Sequence, residues 1–209
     1  MNYSELVAEI QSYTENTFST ADVNTFITQA EQRIANAVQL PASFKYSTLS
    51  TSIGVPTITL PSDYLSTFSV ALQLPSGAYS YLLNKDFTFL REAFPTAATG
   101  QPSHYALSAA YEFTFAPIPN AVYPINLAYF GYPTSITAAG GTSWLGNNFS
   151  SVLLYGSLVE AYTFMKGDQD IMAVYEAKFK EAAALLKQLI DAKNRQDTFR
   201  SDQVRYPVK

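Results

Sequence analysis

Charge is spread so unevenly along this chain that a single kind of structural layer cannot accommodate it. Residues 41–148 carry three basic and four acidic side chains, whereas residues 1–40 and 149–209 together carry ten basic and thirteen acidic ones. The hydrophobic period changes at the same places. In both flanks apolar residues recur every three or four positions, as on one face of a helix, and in the middle several short runs alternate with period two, as in a strand. The pattern predicts an α+β fold: a four-helix bundle drawn from both chain ends, an inserted small antiparallel β-rich domain, and an extended C-terminal arm. The corresponding boundaries are 1–43 and 146–193 for the two parts of the bundle, 44–145 for the insertion and 194–209 for the arm.

The helices are expected from caps and stripes. Ser4 is the candidate N-cap of a short helix with Leu6, Val7, Ile10 and Tyr13 on one face. A second helix begins near Ser19 or Thr20, places Val23, Phe26, Ile27, Ala30, Ile34 and Val38 on one stripe, and is stopped by Pro41. The run from Phe149 to Met165 is apolar nearly all round, which marks the most buried helix, with Gly167 as its C-cap candidate. Asp168 then caps a long amphipathic helix whose inner stripe is Ile171, Tyr175, Phe179, Ala182, Leu186 and Ile190.

In the insertion, strands are predicted over 57–60, 68–72, 79–83, 111–115 and 125–129. Pro75-Ser76-Gly77-Ala78 signals one hairpin and Pro117-Ile118-Pro119-Asn120 a second. A short helix, Phe87 to Phe94, follows the capping Asp86.

Composition excludes most site chemistry. With no cysteine there is no disulfide framework, thiolate metal site or cysteine nucleophile. The single histidine, His104, follows Pro102-Ser103 in a predicted loop, and a general-base role would require a carboxylate and a nucleophile gathered from elsewhere. Gly140-Gly141 precedes Thr142-Ser143-Trp144 without a lysine, so it is a joint and no phosphate loop. Asp168/Asp170 and Glu92/Glu112 are the carboxylate pairs a hydrolase or a magnesium site would use, yet Asp168 and Asp170 are explained by a helix N-terminus. No catalytic residue, cofactor or metal is therefore expected. Met1-Asn2-Tyr3-Ser4-Glu5 lacks a basic and apolar leader, and no run approaches the roughly 18 apolar residues of a membrane span, so a cytosolic, membrane-free chain is expected.

What the composition does favour is association. Only 14% of residues are charged while 47% are hydrophobic, so uncharged polar side chains must cover much of the surface, and such a surface resists association poorly. The 14 Phe, 15 Tyr and one Trp are read as core and subunit contact. The alternative is a carbohydrate-binding tail component that stacks sugars on exposed Tyr and on Trp144. From Lys193 onward the chain has five bases and two acids, with Phe199, Val204, Tyr206 and Val208 interspersed. Aromatic and arginine residues at this density suit a segment that gains order on a protein partner.

Three stretches carry a resemblance. Tyr13-Thr14-Glu15-Asn16 is followed by Phe26 to Ile34 (FITQAEQRI) and then Val38-Gln39-Leu40-Pro41. Leu154 to Gly167 (LYGSLVEAYTFMKG) and Asn194 to Arg200 (NRQDTFR) follow in order, with Leu82 to Asp86 and Ser143 to Gly146 between. Together they resemble the head-to-tail adaptors of short-tailed bacteriophages, the tail tubular protein A-like connectors. The resemblance implies a structural virion protein, assembled in the host cytoplasm, whose twelve copies form a homo-oligomeric ring between the portal protein and the tail nozzle protein. DNA would pass through that ring without specific binding, in keeping with a net charge of −4. It also implies that the C-terminal segment enters the portal, making Arg195, Phe199, Arg200, Val204, Arg205 and Tyr206 the portal-binding residues. Ser76, Gly77, Pro119 and Asn120 would then face the nozzle or a neighbouring subunit.

Overall fold

Asn2 opens the first helix because its side chain can satisfy an amide that the helix itself cannot. In the computed structural model, which describes residues 1–95, 98–138 and 140–202 (backbone alone for 193–202), its Oδ1 accepts the Glu5 N–H at 2.9 Å. Glu5 Oε2 accepts the Asn2 N–H at 2.9 Å in return. This capping box displaces Ser4, the expected cap, into the first turn of helix α1 (Tyr3–Thr14). Ser19 caps α2 (Thr20–Ala37), Ser143 caps the short α4 (Trp144–Asn148), and α5 (Ser150–Met165) follows. The left-handed residue that ends α5 is Lys166, at φ 52°, and not Gly167. Glycine is needed next to it for room, since a Cβ there would lie 2.6 Å from the Tyr162 ring.

Asp168 Oδ1 accepts the Asp170 N–H at 2.8 Å at the head of α6 (Gln169–Asp202). The expected end of this helix near residue 193 is corrected: the backbone stays helical to Asp202, and no glycine or proline stands between Gly167 and Pro207 to stop it.

Contacts divide the described chain into two units, one of residues 1–42 with the chain from Pro133 onward, the other Ser43–Tyr132. In the helical unit α1, α2 and α6 each pack on α5, whose low amphipathicity follows from being covered on several sides. Leu6, Ile10, Ile27, Ile34, Leu153, Leu158 and Leu186 are fully buried there, each stabilising by about 2 kcal/mol relative to exposure. Ile171, expected on the inner stripe of α6, is exposed instead, while Phe179, Leu186 and Ile190 are buried as expected. Ile136 also belongs to this core, and its N–H donates to Glu31 Oε1 at 2.9 Å.

The second unit is built of ten strands and one helix among the described residues. They are β1 (Phe44–Ser50), β2 (Thr57–Thr59), β3 (Tyr64–Gln73), β4 (Tyr79–Tyr81), β5 (Leu83–Asn84), α3 (Phe87–Ala93), β6 (Thr99–Gly100), β7 (His104–Ala109), β8 (Glu112–Ala116), β9 (Ile118–Pro119) and β10 (Pro124–Gly131). One sheet runs β1-β10-β3-β4, a second β2-β8-β7-β5, and β6 pairs with β9 alone. Pairing is antiparallel except for β5 with β7 and β6 with β9. Leu72, Ile125 and Leu127 from the first sheet share one buried cluster with Tyr105, Phe113 and Phe115 from the second.

The Pro75–Ala78 turn joins β3 to β4 as a hairpin, with Gly77 at φ +83° where a side chain would be strained. The second expected hairpin is corrected. After β8 the chain pairs β9 with β6 and then crosses to the first sheet, where β10 lies between β1 and β3. The architecture is mixed α+β.

Candidate functional site

The residues expected to bind a partner lie in three separate segments. Arg195, Phe199 and Arg200 stand on the helical backbone of α6, with side chains outside the described residues, and Val204, Arg205 and Tyr206 lie outside them altogether. Ser76 and Gly77 form the exposed tip of the β3–β4 hairpin, closed by hydrogen bonds from Gly77 N–H to the Leu74 carbonyl and from Leu74 N–H to the Ala78 carbonyl. Pro119 is buried in β9, and its carbonyl accepts the Gly54 N–H at 2.9 Å. Asn120 is exposed and its Oδ1 accepts the Tyr123 hydroxyl at 2.8 Å.

The candidate catalytic groups are each occupied in ways that suit structure. His104 opens β7, correcting its expected place in a loop, with Nδ1 2.8 Å from Ser103 Oγ and its ring 6.0 and 5.7 Å from those of Phe89 and Phe94. Glu112 accepts the Ser108 hydroxyl at 2.9 Å and lines a cleft of about 430 Å3 beside α3, walled by Phe87, Leu90, Phe94 and Phe115. Glu92 does not line that cleft. Among the described residues no group of three or more His, Asp or Glu could hold a metal, and no helix is long and apolar enough to cross a membrane. Trp144, the proposed stacking platform, is half-buried with its ring 5.7 Å from that of Phe149.

The ionisable groups with altered titration tie elements together. Burial opposes ionisation of Asp63, but Lys45 Nζ at 2.6 Å and the Tyr129 hydroxyl outweigh it and hold its carboxyl below the usual range. Lys45 Nζ also donates to the Tyr132 carbonyl at 2.6 Å. On the helices, burial likewise opposes the charge of Glu176, and Arg33 at 2.6 Å with Lys180 at 3.4 Å holds it low, while the Arg33 guanidinium lies 4.4 Å from the Phe179 ring centre. Burial, then the neighbouring Tyr162, Tyr13 and Tyr155, pushes Tyr175 up to about 12. These arrangements brace helices and strands, and none aligns a nucleophile with a base.

One surface had no counterpart in the sequence reading. The outer side of the first sheet gathers Phe44, Tyr46, Phe68 and Phe130, with Phe44 5.0–5.5 Å from each of the other three rings. Tyr46 is 76% and Phe68 64% exposed. The signal was present in residues 44–50, where Phe, Tyr, Thr and Ser alternate with Lys, Ser and Leu.

No curated protein matches the chain. A family model described as SU10 adaptor protein matches residues 1–205. That family is one of structural phage adaptors, which is not an enzyme class. With its helices, strands and C-terminal helix covered by that match almost end to end, the chain belongs to the SU10 adaptor protein family.

Proposed function

We propose that this chain is the head-to-tail adaptor subunit of a short-tailed phage, closing with its copies into a twelve-fold ring between portal protein and tail nozzle. The observation that carries the reading is the family match over residues 1–205, which spans both units and nearly all of the C-terminal segment. In this reading α1, α2, α5 and α6 act as a four-helix bundle and residues 194–209 act as the docking arm, although their first part continues α6. Among the described residues, Ile190 is the last of α6 in the helical core, and the helical backbone continues beyond it to Asp202.

Arg195, Phe199, Arg200, Val204, Arg205 and Tyr206 supply the aromatic and guanidinium anchors that protein interfaces favour. The exposed Ser76–Gly77 turn and Asn120 face the nozzle or a neighbour, while buried Pro119 shapes its strand. A net charge of −4 suits a channel wall that lets DNA pass without holding it. Assembly takes place in the host cytoplasm and the product resides at the head–tail junction of the virion.

Truncation after Asn194 tests the assignment, because it removes the arm and leaves every residue of the described helical core. The truncated chain is expected to keep its thermal midpoint, to lose only the helical circular dichroism of the α6 residues removed, and to lose its ability to join portal-containing particles. Joining at the wild-type level by the truncated chain defeats the proposal.

A further inference from the structure

Helix α6 carries more apolar side chain than its own core covers. Its inner stripe, Phe179, Leu186 and Ile190, is buried in the helical unit. Leu185 and Leu189 stand on another face, about a third of a turn away, and are 55% and 58% exposed. Exposed Ala192 continues that face, and the helical period brings positions 196 and 199 onto it at intervals of four and three residues. The five positions hold Leu, Leu, Ala, Gln and Phe, without a charge.

This face has a definite start. Toward the helix N-terminus it is interrupted by Lys178 and Glu181, paired at 3.8 Å, which separate it from exposed Val174. In the other direction it runs past Ile190, the last core residue of α6 among those described, to the end of the helical backbone at Asp202. Residues 191–202 thus form an overhang, and a helix of about 12 residues is marginal in water unless a surface packs on it.

We infer that Leu185 and Leu189 are the first anchors of the arm's docking surface, and that the protein receiving the arm holds α6 from Leu185 onward as one continuous helix in an apolar groove with an acidic rim. The inference rests on the adaptor reading in taking the arm as a docking segment, and it deepens that reading: the surface begins inside the folded helical unit and is recognised as a helix. Leucines at i and i+4 followed by a small residue at i+7 are the spacing with which an amphipathic helix fills such a groove. A few anchors of this kind carry most of the affinity of an interface. The rim is acidic because the chain from Lys193 onward has five bases and two acids. A single straight helix cannot turn its first two turns toward one protein and the next two, on the same face, toward another without a break, and α6 has none between Leu185 and Asp202.

The test is photo-crosslinking in assembled particles, with full-length chains that carry a benzophenone amino acid at position 189 or, separately, at position 199. Both positions are expected to crosslink to the same polypeptide, one other than this chain. Different polypeptides at the two positions, a copy of this chain, or no crosslink at either overturns the inference. Whether the shared polypeptide is the portal decides the adaptor reading separately. A second measurement uses Leu185→Gln with Leu189→Gln, both at exposed helical positions where glutamine is well tolerated. This double variant is expected to keep the wild-type thermal midpoint and to need at least about tenfold more protein to half-fill the particles, whereas Val174→Gln needs no more than wild type. Wild-type filling by the double variant, or an equal loss in Val174→Gln, likewise overturns the inference.

Discussion

At Gly156 helix α5 lies close against α2 and α6, and replacing it with alanine sets two effects of opposite sign against each other. Alanine in a helix interior gains about 1 kcal/mol over glycine from backbone entropy. A Cβ at this position, however, would lie 3.1 Å from the Ala30 Cβ on α2 and 3.2 and 3.3 Å from two carbons of the Phe179 ring on α6. Non-bonded carbons settle at about 3.5–4.0 Å, so three contacts are too short by several tenths of an ångström. Neither neighbour can easily recede: Ala30 is fully buried, Phe179 is 5% exposed, and the Arg33 guanidinium lies on the same ring. Relieving the overlap means spreading α2 and α6 from α5 or distorting rotamers, at a cost of about 1–3 kcal/mol for such overpacking.

The overlap wins, and Gly156→Ala is expected to destabilise the helical unit by about 1 kcal/mol, or about 2–4 °C in thermal midpoint for a chain of this size. Gly156→Val adds two further carbons to the same space and is expected to lose more. Urea unfolding followed by helical circular dichroism gives both values. If Gly156→Ala proves more stable than wild type, the helices yield at this junction and the claim of tight packing is wrong.

Two pH effects follow from half-buried carboxylates. The Asp63 carboxyl is held below its ordinary value of 3.8, so its stabilisation is complete above that pH and is lost as pH falls through the lower folded value. Urea midpoints measured between about pH 2 and pH 6 are expected to vary less in Lys45→Met than in wild type, with the variant weaker at the upper end; parallel curves would count against the pairing. Glu31 is the reverse case, since burial raises it above 4.5 despite hydrogen bonds from Ser135 and the Ile136 N–H. Its contribution is greatest below 4.5 and declines as pH rises through the folded value. At pH 7 Glu31→Gln is expected to stabilise, because the amide oxygen still accepts from Ile136, whereas Glu31→Ala orphans that N–H at a cost of about 1–3 kcal/mol. Equal losses in the two variants would show that acceptor geometry is not what Glu31 provides.

The helices were legible because their signals are local. Ser19, Asp86 and Asp168 serve as caps where expected, and the all-round apolar run after Phe149 is the helix covered on several sides. Asn2 was passed over because a neighbouring serine offers the same chemistry, and only the reciprocal bond to Glu5 separates them. The end of α6 was misplaced because polar residues from Asn194 to Asp202 look like a loop, while polarity alone does not break a helix.

Strand pairing was less legible. β1 was missed since its outward residues include Phe44 and Tyr46 and its inward ones Lys45, which blurs the alternation that usually marks a half-buried strand. The Pro117–Asn120 link has the composition of a turn, yet its flanking strands belong to different sheets, and that choice is made by pairing partners distant in sequence. The same reason hid the aromatic face: Phe44, Phe68 and Phe130 meet only after three strands align. The cluster of bases and aromatics after Lys193 is a matter of composition alone, and its side chains lie outside the described residues.

The way the β unit is spliced into the helical one sets an order of events on the ribosome. Phe44 stands opposite Phe130, and Lys45 holds the Tyr132 carbonyl, so the unit's entry and exit lie side by side. Synthesis delivers α1 and α2, then the whole insertion, before α5 emerges to give them a surface to pack on. If the insertion folds first, it draws Ala42 and Pro133 together and removes the closure entropy of a loop of about 90 residues, about 4 kcal/mol, from the later docking of the helices. A nascent chain whose β1 and β10 fail to zip would thus reveal the fault elsewhere, in two amphipathic N-terminal helices left waiting for partners and exposed to aggregation.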